Sequence, residues 1–105
     1  MVNPDTVIFP ITGDRLAEMQ RAEVGRELTA AELEFFNEIA GMANEAYEAA
    51  TRGDAETVQS ILNAVNAIPV LDTYTRHLAA LCRGWVLLGC QKGTAQLKTA
   101  IDGLS

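Results

Sequence analysis

The chain holds little of the chemistry on which enzymes depend. It has one histidine, His77, and two cysteines, Cys82 and Cys90, among its 105 residues. A metal site needs at least three convergent ligands, and these three side chains fall on different sides of a predicted helix. No glycine-rich loop follows a predicted strand, so the phosphate-binding motifs of nucleotide enzymes are missing. We therefore predict no catalytic residue, no metal, no cofactor and no enzymatic activity.

Long apolar runs are also missing. The most apolar segment, Leu78–Cys90, contains Arg83 and is shorter than the roughly 20 residues that span a bilayer. The apolar run Val7–Ile11 contains Pro10 and follows no basic residue, which does not fit a signal peptide. The two cysteines lie about 12 Å apart along one helix, too far for a disulfide. We expect reduced, buried thiols in a soluble cytoplasmic protein that contacts no membrane.

The residues that are abundant favour helices. Half of the chain is hydrophobic (49%), and sixteen residues are alanine, the strongest helix former. Only two short segments look strand-like, and each is interrupted by a proline. The length allows one domain with one core. We predict an all-α fold of four to five helices in a small antiparallel or orthogonal bundle.

The helix signals divide the chain into an extended N-terminal arm over residues 1–13 and one helical domain over residues 14–105. Asp14 is the predicted cap of a first helix that runs to about Val24. Thr29 and Glu32 form a capping box for a second, long helix, which Gly53 ends. Gly41, in its middle, marks a close crossing or a slight kink.

Asp54 caps a third helix, which Pro69 stops. A fourth helix begins at Asp72 or Thr73, ends at Lys92 and Gly93, and is followed by a fifth helix capped by Thr94. The turns after residues 52 and 92 are alike, which predicts two helical hairpins. This layout resembles a helical repeat of the tetratricopeptide or HEAT kind, although a period of forty does not fit the tetratricopeptide consensus.

Charge is sorted along the chain. Residues 1–72 carry thirteen acids against four arginines, and residues 73–105 carry four basic residues against Asp102 alone. The spacing of four glutamates in the second helix places them on one side, opposite an apolar seam. We call these residues the acidic ridge: Glu34, Glu38, Glu45 and Glu48.

The fourth helix carries residues of the opposite sign. Arg76 and Arg83 lie seven residues apart, close to Leu87. Together with Lys92 and Tyr74 they form a predicted anion-binding or self-association set. A ridge and a stripe of opposite charge on one molecule allow a homo-dimer or a higher oligomer.

These patterns give two hypotheses for function. The first is a non-enzymatic protein-binding module (an adaptor, an antagonist or an immunity-type inhibitor) whose acidic ridge occupies a basic surface of a partner protein. The alternative is a homo-oligomer that binds a small anion, such as a nucleotide, at a basic site between subunits. Direct nucleic-acid binding is not expected, because eight basic residues are spread over a chain of net charge −6.

Overall fold

Four helices make up the part of the chain that the computed structural model describes, residues 7–104, with the side chains of Glu23 and Val24 left aside. No strand occurs among these residues, which confirms the all-α class. Residues 1–6 of the predicted arm, and Ser105, lie outside the described residues. The helices are α1 (Gly13–Val24), α2 (Ala30–Thr51), α3 (Ala55–Asn66) and α4 (Thr73–Asp102).

The helix starts follow the capping signals of the sequence. The Thr29 hydroxyl accepts the Glu32 amide at 3.1 Å, and the Glu32 carboxylate accepts the Thr29 amide at 2.9 Å. This confirms the predicted capping box. Asp54 caps α3, also as predicted, and Asp72, one of the two residues predicted to begin the fourth helix, caps α4. The cap of α1 differs, because Thr12 and not Asp14 accepts the amide of the first turn.

The predicted break near residue 93 is wrong. Lys92, Gly93 and Thr94 lie inside α4, which is one helix of 30 residues and is therefore about 45 Å long. No separate fifth helix exists among the described residues, so the second of the two predicted hairpins does not form. Glycine and threonine are common at helix ends, but Gly93 serves another purpose here.

Gly89 and Gly93 bring α4 against the backbone of α2. A Cβ atom on Gly89 would lie 2.5 Å from the carbonyl oxygen of Ala43, and one on Gly93 would lie 2.5 Å from that of Tyr47. Any side chain would collide there, since real Cβ atoms do not approach so closely. The predicted close crossing at Gly41 is wrong, because Gly41 is exposed and has open space around it. The close crossing belongs to α4.

Helices α2 and α4 run in the same direction. Along α2, Met42, Ala43 and Tyr47 lie beside Cys82, Gly89 and Gly93 of α4, in the same order. Helix α3 starts at the far end of this pair and returns the chain to the start of α4. It therefore runs opposite to both. Helix α3 thus connects two parallel helices, and these two, α2 and α4, share the most extensive contact among the four helices.

The described part of the arm packs on this frame. Val7, Phe9 and Ile11 are buried, and Ile8 between them is exposed. The Asn44 side chain accepts the Ile11 amide at 2.7 Å and donates to the Ile11 carbonyl at 2.6 Å. One side chain of α2 thus satisfies both backbone groups of an arm residue, which fixes the path of the arm.

Candidate functional site

The four glutamates of the acidic ridge are all exposed on α2. At 100° per residue they fall within an arc of about 80°, and they extend about 21 Å along the helix. The buried residues of α2 lie on the opposite side, with the alanines at its centre fully covered: Ala40, Ala43, Ala46 and Ala49. The structure thus places the four carboxylates together on one surface that faces away from the core.

The protein's own arginines do not neutralise the ridge. Within the described residues, the arginines that form ion pairs do so with other acids: Arg15–Glu18, Arg21–Glu27, Arg26–Glu32 and Arg52–Asp54. Burial raises the pKa of the Cys82 thiol, and the charges of Arg83 and Glu38 act on that thiol in opposite directions. Arg83 and Glu38 form no ion pair within 4.0 Å.

Helix α2 presents the ridge from a rigid support. Its N-terminus is closed by the capping box, and its C-terminus is followed by Gly53 in the left-handed conformation with φ of 71°. Its inner side is held by α4, and Asn44 holds the arm. Gly41 lies in the middle of the ridge, so the backbone itself is accessible between Glu38 and Glu45.

A fifth glutamate of α2 has a different environment. Glu32 is only 6% exposed, and its two carboxylate oxygens each accept a hydrogen bond from Arg26 at 3.1 Å. The hydrogen bonds from Arg26, and then that from the Thr29 amide, lower the pKa of Glu32 to about 2. Burial and the neighbouring Glu32 carboxylate raise the pKa of Tyr74. These residues join the start of α2 to the start of α4.

The structure does not bring the predicted anion-binding set together. Arg76 and Arg83 are exposed on one side of α4, about 10 Å apart. Lys92 is about 24 Å from Arg76 along the axis and on a different side of the helix. Tyr74 lies beside Glu32. The four residues of the predicted set therefore lie in three separate places, because their spacing along the chain does not put them on one side of the helix.

Lys98 belongs with Arg76 and Arg83, and the sequence prediction missed it. It is exposed and falls within about 60° of both arginines around α4. Leu87, at 41% exposed, lies in the same stripe. The helical period would have indicated Lys98 if α4 had not been ended at residue 93.

The remaining reactive groups are the single histidine and the two cysteines. His77 is exposed on α4. Both cysteines are free; Cys82 is buried, as predicted, whereas Cys90 is half-buried, and burial raises the pKa of both thiols. Within residues 7–104, no group of three histidines, cysteines or carboxylates is placed to hold a metal ion.

No protein family, curated protein or solved structure matches the chain. None of the helices in the described part of the chain combines the length and apolar character needed to cross a membrane.

Proposed function

We propose that the protein is a non-enzymatic protein-binding module, an adaptor, antagonist or immunity-type inhibitor, whose acidic ridge occupies a basic surface of a partner protein. The observation that carries this proposal is the ridge itself. Four exposed carboxylates share one side of a well-supported helix, and no arginine or lysine of the described residues pairs with them. Their charge is available to a partner.

The proposed mechanism is steric and electrostatic occlusion. A row of like charges raises the local concentration of a basic partner and speeds its association, and this effect weakens as salt screens the charges. Glu34 and Glu38 also repel each other in the free helix, at a cost of a few tenths of a kcal/mol. A bound basic surface relieves that repulsion. We expect the protein to act in the cytoplasm, where its two thiols stay reduced.

The test compares two variants of equal net charge. In the first, the four ridge residues are changed to Gln. In the second, four exposed acids elsewhere are neutralised: Glu18→Gln, Glu27→Gln, Glu56→Gln and Asp102→Asn. We expect proteins that bind the wild type and the second variant, and that dissociate in high salt, to be lost from the first.

The position of the bound partner is tested by photo-crosslinking. A benzoylphenylalanine placed at Gly41 lies in the middle of the ridge, where a Cβ atom has open space around it. A second one at Gly84, an exposed position on α4 with equally open space, is the matched control. Crosslinks from position 41 and not from 84 support the proposal. If all variants bound partner proteins equally well, the proposal would be wrong, and the ridge would serve solubility only.

The alternative function is a homo-oligomer with a basic anion site between subunits. It is supported by the exposed stripe of Arg76, Arg83 and Lys98. These residues form no ion pair within 4.0 Å among the described residues. Size-exclusion chromatography with light scattering tests it. A monomer at all concentrations, with no change in melting temperature across a panel of nucleotides, would exclude this alternative.

A further inference from the structure

A cleft lies between the arm and the C-terminal half of α4, away from the acidic ridge. Its volume is about 380 Å³, at the small end of the range for ligand-binding clefts. One wall comes from the arm with Tyr47 of α2, and the other comes from α4. The cleft is independent of the proposed function, because none of the ridge residues lines it.

The first wall is apolar and fixed in place. Val7 is 2% exposed, and the ring of Phe9 stacks on that of Tyr47 with centroids 5.2 Å apart. The two hydrogen bonds between Asn44 and Ile11 hold the arm immediately beyond this stack. A ligand that enters the cleft therefore meets a preformed aromatic and aliphatic surface, and little ordering of the chain is needed to bind it.

The second wall carries the polar groups. Lys92, Gln96 and Thr99 follow one another on one side of α4, and the small side chain of Ala95 leaves room between them. The Thr99 hydroxyl already donates to the Ala95 carbonyl at 3.0 Å. The side chains of Lys92 and Gln96 have no hydrogen bond or ion pair with other described residues, so their donors are open to a ligand.

Among the described residues that line the cleft, Lys92 is the one charged side chain. This lysine is half-buried. A partly desolvated ammonium next to an amide donor favours a carboxylate, since hydrogen bonds between charged groups are stronger than neutral ones.

We propose that this cleft binds a small amphipathic carboxylate, whose acid group pairs with Lys92 and Gln96 and whose short apolar body lies against Phe9 and Tyr47. The matched probes are octanoate, octan-1-ol and octylamine, which share a chain and differ in the head group. In ¹H–¹⁵N NMR titrations we expect octanoate to shift the amides around Ala95 and Phe9. We expect octan-1-ol to bind about tenfold more weakly and octylamine to produce no shifts there.

Three variants locate the site. Lys92→Gln is expected to weaken octanoate binding about tenfold, to the level of octan-1-ol. Arg52→Gln, which removes one positive charge at an exposed position that does not line the cleft, is expected to leave it unchanged. Ala95→Leu fills the cleft at an exposed helical position and keeps the charge, so it should abolish binding while circular dichroism shows a folded protein.

Equal binding of octanoate by the wild type and Lys92→Gln would overturn the proposal, as would an equal loss in Arg52→Gln. Absence of octanoate-induced shifts in the cleft would also overturn it, and would leave the ridge proposal unaffected.

Discussion

The two sides of α2 use the same kind of residue in opposite ways. On the inner side Glu32 is buried, and its charge is matched by Arg26, the Thr29 amide and the neighbouring Tyr74. On the outer side four glutamates are exposed, with no pairing from the described part of the protein. The inner side is therefore specified by contacts within the fold, whereas the outer side is free of them.

This difference separates the determinants of stability from those of binding. Substitutions on the inner side, or on the surface of α4 that faces it, should destabilise the fold. Those on the outer side should leave the fold unchanged and affect a partner only. The following predictions test that separation.

The largest effect is expected for Trp85→Ala. Trp85 is 5% exposed and belongs to the core with the inner side of α2. Removing so large a buried side chain leaves a cavity and should lower the free energy of unfolding by about 3–5 kcal/mol. Urea denaturation followed by circular dichroism measures it. The control is Leu87→Ala, on the same helix but 41% exposed, and a similar loss in both variants would contradict the assignment of the core.

Glycine-to-alanine changes should have opposite signs on the two sides. Gly89→Ala and Gly93→Ala place a methyl group against the α2 backbone and should each cost about 1–3 kcal/mol. Gly41→Ala, on the outer side with open space, should stabilise the protein by up to about 1 kcal/mol, because alanine favours the helix. Thermal melts of the three variants give the comparison. Stabilisation by Gly93→Ala would show that the helices are not in backbone contact.

Acid should weaken the inner side through Glu32. Its folded-state pKa of about 2 lies below the ordinary value of 4.5, so its contribution is complete above about pH 4.5. That contribution is lost as the pH falls toward 2. We expect a loss of about 1 kcal/mol, because Arg26 is 52% exposed and solvent screens its pairing with Glu32. In urea titrations at several pH values, the Glu32→Gln variant should lack this part of the decline, and an unchanged decline would contradict the prediction.

The smallest effect is expected for the outer side. Changing the four ridge glutamates to Gln removes repulsion between Glu34 and Glu38 and should raise stability by a few tenths of a kcal/mol. The melting temperature relative to that of the charge-matched control variant measures it. A loss above about 1 kcal/mol would mean that the ridge contributes to the fold after all.

Local signals predicted the helices well and failed where distant contacts decide. The sequence predicts Thr29 and Asp54 as caps because capping is local chemistry. The exposure of the ridge followed from the helical period. Gly93 was misassigned as a helix end because its need for close approach comes from Tyr47, which is far away in the sequence.

The same limit applies to the binding groups. The cleft beside Lys92 was not predicted, since one of its walls is the arm folded back on α4. Arg76 and Lys92 were grouped by charge alone, and the turn of the helix separates them.

The contact between α2 and α4 also restricts which substitutions the sequence can accept during evolution. A side chain at residue 89 or 93 would collide with the backbone of α2, so related sequences with this fold are expected to favour glycine at both positions, four residues apart, opposite alanines at 43 and 50. The glutamates carry no such architectural demand. A distantly related protein would therefore be recognised by that spacing of glycines and alanines, even if all of its surface charges differed.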